Sequence, residues 1–528
     1  MSKLYRPLLI VALATIYLFG SYASLKAGLT WDEMSETIIT FVNVAAVDGL
    51  LHGDTTAYQF LQTFGDRYYG VGFYFPAQFI LQLIGKPTAM YFGLADLEAA
   101  QLARHWIIFN LFFFSGFFVR RLMRLFTGDE IFSSLAAVGF MLWPYMFGHG
   151  MINLKDVPFM FAWLLCTNYS FSMARRYMDG RLTGRMSICL LAIFTGWLLS
   201  IRIAGVLIFL QYMITLFFLR GHPRKNKSAS PAFPLTNIPL FMACLILFVY
   251  VSYPVFWFNP LDVANAIYRM SHSPSGNIGC TLTYGRCVSG TPPASYIPAW
   301  LTVKLPVLVI AGYLLLPLAF MKQTARGIGE DFRFFKAALL TSLAIPLLLA
   351  VRHVSFYNEI RHILFLMPFF YCVGVASLYF VSKKAAIASL VASICIFTAD
   401  QYLAFPYQYV WFNEVARQFQ VEKYFETDYW GAAGRGLAKQ LTIAEKSVGP
   451  VNCIYADPDT LIKPFMGRDY AGCMKWLYTL TPADPRPYLT TSFSKTIFPV
   501  NCPELYREKF RLFLGKGDIT IGSVRYCK

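Results

Sequence analysis

"MSKLYRPLLIVALATIYLFGSYASLKAGLTWDEMSETI" (residues 1–38) places two demands on any fold. Its apolar run is long enough to cross a bilayer. It starts from Lys3 and Arg6 and lacks a convincing small-residue cleavage site, so it reads as an uncleaved first span. Directly after it come two adjacent carboxylates, Asp32 and Glu33. Thr30 and Glu33 have the Thr-x-x-Glu spacing of a capping box, and Asp32 could cap the helix that follows. The competing reading is that one of these acids is a general base, held where a lipid substrate meets water.

The rest of the chain supports a membrane setting. Of its 528 residues 56% are hydrophobic and only 14% charged, which excludes a soluble globular composition. The formal net charge of +17 does not indicate nucleic acid: no basic soluble domain or known motif accompanies it, and basic excess in a membrane protein reflects cytoplasmic loops and anionic headgroups. About eleven spans are expected, centred on residues 7–26, 103–122, 131–148, 157–174, 187–201, 203–219, 237–257, 300–320, 335–351, 362–381 and 385–401. With that count, the clusters Arg120–Arg124, Arg175–Arg185, Arg220–Lys227, Lys322–Lys336 and Lys383–Lys384 all fall on the side of the N-terminus. The positive-inside rule makes that side cytoplasmic and the C-terminus extracytoplasmic. The short apolar stretch 68–85, with Pro76 inside it, is expected to be interfacial or re-entrant. Residues 34–52 are expected to form an amphipathic surface helix, and 187–219 a hairpin with its tip at "SIRIAG" (200–205).

The expected organisation is a multi-pass α-helical domain over 1–401, with a first outer loop at 28–102, followed by a small extracytoplasmic α/β domain over 402–528. Turn signals such as "ADPD" and "GKGD" and the β-like runs "VNCIY" (451–455) and "DITIGSVRYC" (518–527) mark the second domain. Cys280, Cys287, Cys453, Cys473, Cys502 and Cys527 fall outside the spans, an even number that suits an oxidising compartment. Pairing 280 with 287 is the local expectation, and the tail pairing is not deducible. No Cys/His spacing matches a structural zinc site.

Positive charges on the outer side run against the topological bias and therefore need a reason. They are Arg104 with His105, Lys155 beside Asp156, Arg202 at the hairpin tip, Lys304, and the group Arg352, His353, Glu359, Arg361 and His362. Singly each fits a snorkelling end-cap or a salt bridge. Together at one leaflet they suit an anion, with phosphate the obvious candidate. A lipid-linked phosphate as leaving group would need such cations for its developing charge and a carboxylate to deprotonate the incoming hydroxyl. That architecture is a transferase. A membrane transporter or lipid-linked sugar flippase is the alternative use of the same charges, though they gather at one face and no inverted repeat is visible.

These residues resemble those of the GT-C glycosyltransferases, in the branch containing protein O-mannosyltransferases and the lipid A aminoarabinose transferase. The acidic pair after the first span, Asp32-Glu33, is that superfamily's most recurrent feature. "NLKDVPF" (153–159) is similar to the branch's Asn-Pro-Lys-Asp-x-Pro-Phe motif, with Leu154 in place of the proline, and "LSIRIAG" (199–205) to its Thr-Arg-x-x-Gly turn. "YIPAWLTVKLP" (296–306), "YNEIRHILFLMP" (357–368) and the segment from "FPYQYVWFNEVA" to "FETDYWG" (405–431) resemble stretches of bacterial members. The likeness covers residues 25–431; the remainder matches nothing nameable. It implies a mannosyltransferase-like enzyme that moves a hexose-type sugar, with inversion, from a polyprenyl-phosphate donor to an acceptor hydroxyl outside the cytoplasmic membrane. Whether the acceptor is protein, lipid or glycan stays open. By resemblance Asp32 is the base and Glu33 its positioning neighbour, while Arg104, Lys155, Asp156, Arg361 and His362 serve donor phosphate or acceptor. No cofactor is certain. A divalent cation is the open case, with Asp32 and Asp156 as the pair that could hold one.

Overall fold

The structure is a computed structural model that describes residues 2–81, 83, 96–179, 181, 184–219, 237–271, 281–289, 291–325, 332–467, 472–493 and 502–528. The first apolar run is helix α1 (Ser2–Lys26). After a four-residue link come α2 (Trp31–Leu51) and the short α3 (Thr56–Thr63). The following helices are α4 (Asp96–Thr127), α5 (Glu130–Leu142), α6 (Pro144–Ile152), α7 (Asp156–Met178), α8 (Arg185–Ile201), α9 (Ile208–Leu219) and α10 (Ile238–Ser252). Then come α11 (Tyr296–Lys304), α12 (Val307–Leu314), α13 (Phe332–Val351), α14 (Met367–Val381) and α15 (Lys383–Leu403).

Every segment expected as a span is helical, but the helices do not all have the length expected. Among the described residues six are long and apolar enough to cross a membrane, or up to eight if each of two bent pairs is one span. Eleven is therefore not reached by length and composition. Both bends have local causes. α5 and α6 meet at 60° around Trp143, where Pro144 starts the second helix. α11 and α12 meet at 119°, because Pro306 forces Leu305 into an extended conformation and ends the first helix. The expected single span 300–320 is thus broken, with Lys304 at the break. α2 is itself apolar and long enough to be a span, yet it packs on α3 and on the turn Pro254–Phe256.

Packing is by aromatic and small side chains. α4 touches α1, α5, α7 and α14, and α12 lies along α14. A Cβ on Gly312 would sit 1.9 Å from the carbonyl oxygen of Gly374, so these two helices approach through bare backbone. Trp143, Trp163, Trp300 and Trp411 are completely enclosed, whereas Leu8, Val11 and Leu18 of α1 and Ile246 and Leu247 of α10 are exposed. Such outward leucines and valines suit hydrocarbon better than water.

After Leu403 the chain crosses the end of the bundle and enters a five-stranded sheet with α16 (Gly434–Val448). Thr281–Thr283 and Arg286–Val288 form an earlier hairpin, β1 and β2. The sheet contains β3 (Cys453–Asp457), β4 (Met474–Trp476), β5 (Tyr488–Ser492), β6 (Glu504–Arg511) and β7 (Asp518–Cys527) in the order β4-β3-β5-β7-β6. β3 runs parallel to β4 and β5, and β7 antiparallel to β5 and β6. Disulfides Cys453–Cys473 and Cys502–Cys527 close this unit. The expected partner of Cys287, residue 280, lies outside the described residues.

The sheet unit is fastened to the bundle by a buried fork. Arg417 donates to both oxygens of Asp400 at 3.1 and 2.7 Å, and the Trp411 indole and the Phe513 amide complete that carboxylate's partners.

Candidate active site

The link between α1 and α2 is held from both ends. Glu33 Oε1 accepts the Thr30 amide at 3.0 Å, which is the glutamate half of the expected capping box. The same oxygen faces His105 Nε2 at 3.0 Å, while His105 Nδ1 lies 3.1 Å from the Ser24 carbonyl. Glu33 is thereby committed to α4 and to its own helix start. Asp32, its neighbour, turns the other way and meets Arg361 Nη1 at 2.6 Å.

Two further acid–cation pairs lie beside it. Lys155 pairs with Glu36 and has its ammonium 4.2 Å from the centre of the Tyr69 ring. Arg202 pairs with Asp156. Asn153 builds the second of these: its side-chain oxygen accepts the amides of Lys155 and Asp156 at 3.2 and 2.8 Å, and its amide donates to Asp156 Oδ2 at 3.0 Å. This Asx turn sets the start of α7 although Leu154 stands where the motif has proline. Asp32 lies within the electrostatic reach of Arg361, Lys155 and Arg202 together, so the three pairs form one cluster. Burial pushes the Lys155 ammonium down to about 8, against the pull of Asp32.

Solvent access separates the acids. The side chain of Asp32 is 20% exposed, against 8% for Glu33, 2% for Asp156 and 1% for Glu36. Asp32 is the most exposed of these four carboxylates.

The tail contributes to the same place. Asp428 accepts the amides of Trp430, Gly431, Ala432 and Ala433 and the hydroxyl of Tyr409, which fixes a tight turn before α16. Burial pushes the Asp428 carboxyl up, and those donors pull it back. The turn presents the Trp430 ring 5.2 Å from the Arg361 guanidinium, and the Trp430 carbonyl accepts the Trp31 amide at 3.2 Å. Gly28 is required here, since a Cβ would lie 2.2 Å from the Ala432 carbonyl oxygen. Arg361 itself follows a loop in which His353, Asn358 and Glu359 all adopt positive φ, between 51° and 63°. Such a loop persists only when pinned, and the Tyr296 hydroxyl donates to the Glu359 carbonyl at 3.1 Å.

Other expected residues lie elsewhere. Lys304 is fully buried against Glu359 at 2.9 Å, among the rings of Tyr145, Trp300 and Phe412, so it forms a separate internal pair. Burial pushes Glu359 up to about 7, with Lys304 opposing. Arg352 and His353 are exposed and belong to none of the ion pairs among the described residues. The motif matched Arg361 and His362, and its sequence neighbours 352 and 353 are carried outward by the left-handed turn. His362 is half-buried, packed on Tyr357 and Phe356, with Nδ1 unpartnered. Arg104 is half-buried; the Tyr74 hydroxyl lies within reach of its charge and of those of Asp32, Glu33 and Asp156. That hydroxyl is buried without a partner. Asp32 and Asp156 each face a guanidinium, a poor setting for a divalent ion. Among the described residues no group of three or more His, Cys, Asp or Glu side chains could hold a metal.

The sequence reading did not single out Glu36, Tyr69, Tyr74 or Trp430. Glu36 carried a signal: it follows Asp32 by four residues, which puts both on one face of α2.

No family model matches the chain, and no curated protein does. Among solved structures, the crystal structure of ArnT from Cupriavidus metallidurans bound to undecaprenyl phosphate is similar over 98% of this chain and 98% of that one, at 11% identity and a TM-score of 0.43.

Proposed function

We propose that this chain is a membrane glycosyltransferase of the GT-C kind, which moves a sugar from a polyprenyl-phosphate donor to an acceptor hydroxyl on the extracytoplasmic side. The observation that carries this reading is the convergence of Asp32–Arg361, Glu36–Lys155 and Asp156–Arg202 on one cluster, in which Asp32 is the most exposed of the three acids. An odd number of crossings, as the alternation of the basic clusters requires, puts the N-terminus in the cytoplasm and the sheet unit outside it. α2 then lies along the outer surface, a position supported by its packing on α3 and the Pro254–Phe256 turn.

The reaction follows from partner exchange. A donor phosphate competes for Arg361, Lys155 and Arg202, because each can offer it hydrogen bonds now spent on an acid. Losing Arg361 makes Asp32 a stronger base. Asp32 then takes the proton of the acceptor hydroxyl as that oxygen bonds to the anomeric carbon from the face opposite the phosphate. The bond from carbon to phosphate oxygen breaks, its electron pair leaves on the phosphate, and the three cations stabilise that charge. The configuration inverts. Glu33 and His105 hold the link so that Asp32 keeps its aim.

Asp32→Asn, assayed with radiolabelled polyprenyl-phosphate sugars, is expected to retain folding and lose transfer by at least about a hundredfold. Undiminished transfer would reject Asp32 as base. Wild-type protein that moves intact lipid-linked sugar across vesicles without donor-dependent transfer would reject the enzyme.

A further inference from the structure

α4 passes the acidic cluster at Arg104–His105 and α7 starts there at Asp156, and both run on to arginines. Arg104 to Arg121 along α4, and Asp156 to Arg175 along α7, span about 26 and 29 Å at a helical rise of ~1.5 Å per residue. That is close to the thickness of a bilayer's hydrocarbon core. At these far ends lies a cavity of about 530 Å³ lined by Arg121, Arg124, Arg175, Arg176 and Arg181, with Asp179 the one acid among the described residues of its wall. A bias toward basic loops explains arginines at this side. It does not explain why five of them surround one concavity.

Four of them, Arg121, Arg124, Arg176 and Arg181, leave much of their charge unspent. Arg124 shares Glu130 at 3.3 Å, and Arg121 donates to the neutral Ser172 hydroxyl. Arg176 and Arg181 are exposed and face no carboxylate at salt-bridge distance among the described residues. Asn168, 3% exposed, also lines the cavity; its amide nitrogen donates to the Leu164 carbonyl, and its oxygen is buried without a partner among the described residues. An arginine cluster calls for a phosphate, and a lone acceptor beside it calls for a hydroxyl on the same ligand. The approach is greasy: Phe114 and Phe117, seven and four residues before Arg121 on the same helix face, are 49% and 42% exposed.

We propose that this cavity binds the headgroup of an anionic phospholipid, a phosphate diester carrying a free hydroxyl, with its acyl chains along the Phe114–Phe117 face of α4. The site lies at the opposite end of the bundle from the acidic cluster and does not depend on what that cluster does. Phosphatidylglycerol has the required chemistry, and inorganic phosphate shares only the anion.

The test uses the full chain in detergent micelles, with lipid retention read by native mass spectrometry against added phosphatidylglycerol or phosphatidylcholine. Wild type is expected to retain phosphatidylglycerol preferentially. The Arg121→Gln/Arg176→Gln double variant should lose about tenfold in apparent affinity, as removal of charge-assisted contacts does. Arg181→Gln, beyond the end of α7 and unable to disturb its packing, should show a smaller loss, and Lys446→Gln on α16 none. Equal retention of the two lipids, or unchanged retention in both arginine variants, would overturn the proposal. So would displacement of phosphatidylglycerol by millimolar inorganic phosphate, since that outcome identifies a free-ion site.

Discussion

At the scale of single residues, Asp32 and Glu33 are neighbours with separate tasks. One is committed to His105 and the helix start, and the other is left to Arg361. The acidic pair was legible in the sequence because it follows the first span directly; its division of labour was not, since His105 and Arg361 are 72 and 329 residues away from their partners. Lys155 gives a test by pH. In the proposed reaction its ammonium form holds the donor phosphate; burial brings its titration down to about 8, so that form is intact well below pH 8 and disappears as pH rises through it. Donor KM is therefore expected to climb above pH 8 in wild type. Lys155→Arg should flatten that limb, because a guanidinium stays charged throughout. A wild-type KM that is level from pH 7 to 9.5 would count against Lys155 as a phosphate ligand.

Among the elements, the bends govern. Hydropathy alone reads 131–148 and 300–320 as continuous spans, and Pro306 was visible only as a letter within "VKLP". The 119° break it causes takes Lys304 away from the acidic cluster and into an aromatic cage. A similar limit applied to the tail. "VNCIY" and "DITIGSVRYC" overlap β3 and β7, yet the short β4 and the polar β6 carry too little apolar alternation to be read. The α12–α14 contact depends on the absence of side chains. Gly312→Leu inserts four carbons where a first one already meets the Gly374 carbonyl, and overpacking of this kind costs about 1–3 kcal/mol or more. A thermal melt in detergent should fall by several degrees, whereas Gly128→Leu, with open space around its Cβ, should lose only the strain of its positive φ. Equal melts for Gly312→Leu and wild type would show that the helices can slide apart freely.

For the molecule as a whole, the question is how a sheet unit stays seated on a bundle. Among the described residues the attachments include the Asp400–Arg417 fork, the Arg435 guanidinium on the Leu25 carbonyl at 2.9 Å, and the Trp31–Trp430 backbone bond. Arg417→Met would leave Asp400 charged and buried, a loss of about 3–5 kcal/mol by the usual cost of breaking such pairs. Asp400→Leu/Arg417→Met should recover most of it. Protease susceptibility of the tail and the melting point read both variants. A double variant no more stable than the single one would show that the fork contributes more than the relief of an unpaired charge. None of these joints could be read from spacing, because hydropathy and periodicity do not say which tail residue meets which end of the bundle.

One consequence follows from the pairing of charges in the acidic cluster. With three acids set against three bases, the resting cluster is its own counter-ion, so neutralising it calls for no chloride or inorganic phosphate that the proposed donor would first have to displace. In the proposed reaction the spent carrier, a phosphate monoester of up to two negative charges, is left facing Glu36 and Asp156, whose cations it has taken, while Asp32 holds the acceptor's proton; repulsion from those two carboxylates favours its departure.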